Sequence, residues 1–90
     1  MRLKWNPKAR EDRLQHIAHI RKQNPLAALD NDKSIQECTN KLLSDNIIYK
    51  SGRVPGTNEI VVSKSYIMVY WKNGETTEIL RVLHTAQNWP

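Results

Sequence analysis

The sequence predicts an α+β domain in which a helical hairpin packs on a mainly antiparallel sheet, in the order β-α-α-β-β-β. Three observations carry this. Two Asn-Pro steps, at 6–7 and 24–25, each open a stretch with helically spaced apolar residues. From residue 59 the pattern becomes that of strands, with an Asn-Gly turn at 73–74 between two apolar runs. Ninety residues are one domain, 1–90, near the small end of what folds on its own core.

The elements follow in order. "RLKW" (2–5) is a short strand at the edge of the sheet. Asn6 caps the first helix, and Pro7 sits in its first turn, where a missing N–H costs nothing. That helix runs to about Gln23, with Ala9, Leu14, Ile17, Ala18 and Ile20 as its apolar stripe. A second helix starts at 24–25. Ala28, Ile35, Cys38 and Leu42, spaced 7, 3 and 4 apart, line one face, and "SDN" (44–46) ends it. So short a link makes the two helices an antiparallel hairpin.

"IIYKSGRVPGTN" (47–58) is a loop or irregular strand, since it holds Gly52, Pro55 and Gly56. Strands follow at 59–63, 66–71 and 77–84, with the hairpin turn at 72–75. The expected core includes Leu14, Ile17, Ile35, Leu42, Val61, Val69 and Leu80.

Composition narrows the function. The net charge of +5 suits nucleic acid, an acidic protein or an anionic membrane. It is spread out: nine Lys/Arg against six Asp/Glu in 1–46, and five against three in 47–90. A folded basic surface therefore fits better than a basic arm. Lone Cys38 excludes an intrachain disulfide. With three scattered histidines it also argues against structural zinc, and no cofactor is expected. No stretch reaches the length of a membrane helix, and "MRLKWNPKAR" lacks the apolar core of a signal peptide. The expected compartment is the cytoplasm, with no membrane partner.

Chemistry-bearing residues gather in the second half. In a regular last strand, Thr77, Ile79, Arg81 and Leu83 share one face, and Glu78, Leu80, Val82 and His84 the other. Arg81 then has two readings: its stem packs while its head snorkels or pairs with Glu59, or its guanidinium is presented on the open face for a phosphate. His84 ends the strand and is either half-buried structure or a catalytic imidazole. His16 and His19 read as solvated helix surface. Gln87, Asn88 and Trp89 form a docked tail, or Trp89 is a stacking platform for a base. "KSGRVPGT" (50–57) sets Lys50 and Arg53 beside two glycines, which suits a phosphate or an ordinary turn. It is no nucleotide-hydrolysing phosphate loop, because the Gly-Lys-Ser/Thr order is missing.

Four segments in order, "WNPKARED", "GRVPGTNEIVV", "YIMVYW" and "EILRVLHTAQNWP", make nearly the whole chain resemble the RelE/ParE superfamily of toxins from bacterial type II toxin–antitoxin pairs. The resemblance implies the β-α-α-β-β-β fold and a cognate antitoxin that wraps the toxin, with operator DNA reached only through that antitoxin. RelE-like members are ribosome-dependent endoribonucleases that cut messenger RNA. ParE-like members inhibit DNA gyrase and are not known to cut RNA. A third reading is a chain that only represses transcription with its antitoxin.

The first reading is the expectation: a metal-independent messenger-RNA interferase. In it His84 is acid or base, Arg81 and Arg53 clamp the phosphate with Lys50 as helper, and Gln87 and Trp89 hold bases. Two positions depart from the family pattern. Asn58 and Ala86 stand where relatives commonly carry arginine, which would attenuate RNA cutting. On this reading Arg53, Arg81, His84, Gln87 and Trp89 converge on one concave surface away from the helices, lined also by Asn58 and Ala86. The gyrase inhibitor is the alternative.

Overall fold

The computed structural model describes residues 2–44 and 50–89. Strand β1 (Arg2–Trp5) leads into helices α1 (Pro7–Gln23) and α2 (Pro25–Ser44). Strands β2 (Lys50–Ser51), β3 (Asn58–Val61), β4 (Tyr66–Asn73) and β5 (Thr76–His84) follow. The sheet order is β1-β5-β4-β3-β2, with β1 parallel to β5 and every other pair antiparallel. This is the expected architecture, with β2 added as a two-residue strand inside the segment read as irregular. The expected helix end at 45–46 and the start of that loop at 47–49 lie outside the described residues.

Local chemistry explains the helix ends. Asn6 Oδ1 accepts a hydrogen bond from the Lys8 N–H at 2.9 Å, and Pro7 fills the first turn. Asn24 serves both helices at once. Its N–H donates to Ile20 O at 2.8 Å to finish α1, and its Oδ1 accepts from the Ala27 N–H at 3.1 Å to start α2. At the β4–β5 hairpin, Gly74 takes φ 63°, a backbone angle that side chains disfavour.

One layer of core lies between the hairpin and the sheet. Ala9, Ile35, Cys38 and Leu42 from the helices meet Ile60, Met68, Tyr70, Ile79 and Val82 from the strands. A smaller cluster, Ile67, Val69 and Leu83 with Leu80 and Trp89, lies on the opposite face. Of the expected core, Ile35, Leu42 and Val69 are buried, and Ile17 and Leu80 are half-buried. Leu14 and Val61 are each 68% exposed, which corrects their placement. Val61 pairs with Ile67, so it belongs to the face away from the helices, beyond the cover of Trp89. On α1 the turn that meets the sheet carries Ala9 and Asp12, and Leu14 projects outward.

A β-bulge breaks the expected alternation of β5. Val69 pairs with Arg81, but the next residue, Tyr70, pairs with Ile79, so Leu80 is the extra residue. Ile79 and Val82 consequently enter the same core, while Leu83 goes to the other face. The expectation that Ile79 and Arg81 share a face is therefore corrected by one inserted residue.

Candidate functional site

Strand β1 ends at Trp5, opposite Ile79, while β5 continues to His84. The last residues of β5 would have an open edge, and backbone groups left there need partners. Helix α1 and its cap supply them. The Asn6 N–H donates to Ile79 O at 2.9 Å. Asp12 Oδ2 accepts from the Val82 N–H at 3.0 Å. Four residues on, along the same helical face, His16 Nε2 lies 2.7 Å from Val82 O. A carbonyl only accepts, so the imidazole carries its proton on that nitrogen.

Arg81 lies in this corner. Its Nε donates to Asp12 Oδ2 at 2.7 Å and its Nη2 to Asp12 Oδ1 at 3.1 Å, a two-pronged bond. The Trp89 ring covers the guanidinium, 5.2 Å from its centre. The hydrogen bond to Asp12 raises the Arg81 pKa further, the attraction of Asp12 and Glu11 adds to it, and burial opposes it. Asp12, not Glu59, is thus the partner of Arg81. Glu59 is buried and held by Arg53, whose N–H donates to Oε2 at 3.2 Å and whose Nε lies 3.7 Å from it.

The tail folds back over the sheet face that the helices leave open. His84 N–H donates to Gln87 Oε1 at 3.2 Å, and Gln87 N–H to His84 O at 2.9 Å. Arg53 Nη1 reaches Gln87 O at 3.5 Å. Trp89 then packs on the Ile67–Val69–Leu83 cluster, with its Nε1–H buried and unpaired. Arg53, Arg81, Gln87 and Trp89 are therefore gathered by this strap, and Lys50 sits exposed on β2 opposite Glu59.

His84 is not among them. It pairs in register with Tyr66, on the helix-facing side, and the two rings meet edge to face at 5.3 Å. His16 lies 4.7 Å from Tyr66, so the tyrosine sits between two imidazoles. Its burial raises the phenol pKa. His84 Nδ1 accepts from the Ala86 N–H at 3.1 Å, which puts the proton of the neutral ring on Nε2. Asn58 is paired with Tyr70 and shares its side of the sheet, and Ala86 is exposed in the turn after β5. Of the residues expected to converge, Arg53, Arg81, Gln87 and Trp89 lie along the tail, while His84 and Asn58 face the other way. Asp12, His16 and Tyr66 were missed as site residues. An Asp and a His at i, i+4 on a helix whose other buried residue is an alanine was the available signal.

The helical hairpin over a five-stranded sheet is the architecture that the resemblance to the RelE/ParE superfamily implies. The family model for the ParE toxin of the type II toxin–antitoxin system, parDE, matches residues 3–89, and the chain belongs to that family. It is 30% identical over 90 residues to "Putative toxin Y4kP" of Sinorhizobium fredii, covering 99% of this chain and 93% of that one. A solved chain from the chromosomal ParDE TA system of P. aeruginosa superposes with a TM-score of 0.81 at 24% identity, over 93% of this chain and 95% of that one. The protein is therefore the toxin half of a toxin–antitoxin pair. Among the described residues, no helix is long and apolar enough to cross a membrane.

Proposed function

We propose that this toxin acts by binding a protein target, DNA gyrase, and not by cutting messenger RNA. The observation that carries this reading is the state of Arg81. Its charge is met by Asp12 and roofed by Trp89, while His84 lies on the opposite side of the sheet. Metal-free RNA cleavage needs an acid or base within hydrogen-bond reach of a clamped phosphate. Here the imidazole and the best clamp are separated, and Asn58 and Ala86 supply no replacement charge. Membership of the ParE family supports the same choice.

The cognate antitoxin completes the reading. An acidic segment that folds on binding would cover exposed Leu14, Leu26, Leu29 and Val61 and offset the +5 charge. Any contact with operator DNA would then be made through the antitoxin.

Two assays run side by side test the target. Purified toxin is added to gyrase relaxing or supercoiling plasmid DNA, and to ribosomes programmed with messenger RNA. The expected result is loss of supercoiling with intact message. Cleaved message with unaffected gyrase would return the chain to the interferase reading.

A further inference from the structure

We propose that His84 is a pH-sensitive latch on the C-terminal strap. It holds Trp89 over the open face of the sheet while its ring is neutral and releases it once the ring is protonated. The strap is tied to this one residue at three atoms. The His84 N–H donates to Gln87 Oε1 at 3.2 Å, its carbonyl accepts from the Gln87 N–H at 2.9 Å, and its Nδ1 accepts from the Ala86 N–H at 3.1 Å. Beyond this turn, Trp89 packs on Ile67, Val69 and Leu83 and covers the Arg81 guanidinium.

The third bond is the one that pH can reverse. Nδ1 accepts only in a neutral ring whose proton is on Nε2; the imidazolium carries a proton on both nitrogens and only donates. Protonation would set two N–H groups against each other across 3.1 Å. Histidine is the side chain whose charge ordinarily changes between about pH 5 and 8. His84 is exposed, so the proton reaches it from solvent. The sign follows. The bond is present at neutral and higher pH and is lost as the pH falls through the range in which the ring charges.

The neighbouring groups do not act on the strap in this way. Tyr66 on β4 meets the ring edge to face, and burial raises its phenol pKa further, so it stays neutral throughout. His16 on α1, beyond Tyr66, donates from Nε2 to Val82 O, and a second proton on its Nδ1 leaves that bond intact. His19 on α1 and Asp30 on α2 share the groove wall with His84, and among the described residues neither is bonded to the strap. Arg53 keeps its charge and its contact with Gln87 O. Release uncovers Arg81 with Ile67, Val69 and Leu83, a basic and apolar surface that the neutral form hides. The latch does not depend on which macromolecule the toxin engages.

NMR of the ¹⁵N-labelled full chain at about pH 7.5 and about pH 5.5, either side of the usual histidine range, tests the latch. The Trp89 indole N–H is buried and exchanges with solvent when the ring lifts. Corrected for the pH dependence of exchange itself, its protection should fall about two- to tenfold at the lower pH, the effect of losing one hydrogen bond. The Ala86 amide signal should move with the same midpoint as the His84 ring. His84→Asn sets an uncharged acceptor, Oδ1, in the place of Nδ1 and should keep the strap closed at both pH values. His84→Ala has no acceptor and should show the lower protection at both. His19→Gln should respond as the unaltered chain does. Equal protection of Trp89 at the two pH values in the unaltered chain, a pH response that survives in His84→Asn, or one lost in His19→Gln would overturn the proposal.

Discussion

Asp12 and Arg81, 69 positions apart, form a two-pronged ion pair at 2.7 and 3.1 Å, and the same carboxylate also accepts the Val82 N–H at 3.0 Å. Both side chains are largely out of water, at 6% and 18% exposure. Removing one partner of such a pair leaves a charge without compensation. Asp12→Ala is expected to cost about 3–5 kcal/mol in urea unfolding. Asp12→Asn, which keeps an oxygen for Val82, should cost less. Equal losses for the two would mean that the charge carries the whole effect and the retained oxygen contributes nothing.

Trp89 gives a paired test of the strap. Trp89→Ala uncovers Ile67, Val69 and Leu83 and removes the ring above Arg81, and should cost roughly 2–4 kcal/mol. Trp89→Phe keeps a ring and deletes the unpaired buried N–H, so it should be neutral or stabilising by up to about 1 kcal/mol. A large loss with phenylalanine, read as a lower urea midpoint, would show that the indole N–H has a partner in solution.

Cys38 sets an alkaline limit. Burial raises its thiol pKa, Lys41 opposes the rise, Glu37 adds to it, and the Sγ–H donates to Val61 O at 3.5 Å. The folded state therefore keeps the proton to higher pH than the unfolded chain does. Stability should be full below about pH 8.5, the usual thiol value, and fall above it by at most about 1.4 kcal/mol per pH unit until the folded thiol ionises. Tyr66, also raised, adds a fall in the same direction at higher pH. Urea midpoints measured from pH 7 to 10 should decline, and Cys38→Ala should flatten the first part of the decline.

Restoring arginine at 58 and 86 tests the site geometry directly. Both changes add charge, but neither moves His84 to the side of Arg81. The double variant should leave messenger RNA intact on programmed ribosomes. Cleavage by this variant would show that the imidazole and the guanidinium do meet on the substrate.

Helix starts, the β4–β5 hairpin and the β-α-α-β-β-β order along the chain were legible because each rests on a local rule: Asn-Pro capping, Asn-Gly turning, alternation over short runs. The bulge at Leu80 was not legible. One inserted residue leaves the composition of β5 unchanged yet reverses the side to which Arg81 and Leu83 point relative to Ile79. The placement of Leu14 failed for a related reason. An apolar residue at helical spacing was read as core, while the position that touches the sheet is held by Asp12, whose role depends on a backbone N–H 70 positions away. Polar residues that finish a distant strand carry no periodic signal. The residue types of the tail suit both docking and base stacking, and in this structure Trp89 packs on its own sheet.

The pairing of β1 with β5 has a consequence for how the molecule comes into being. Residues 2–5 leave the ribosome well before their hydrogen-bonding partners, 76–79, are made. Asp12 waits in the same way for Arg81. Contacts this distant in the chain form only after the intervening polypeptide is available. Helices α1 and α2 can coil early, but β1 finds its place in the sheet only once β5 has been made. A chain halted before residue 76 has no strand to receive its first one.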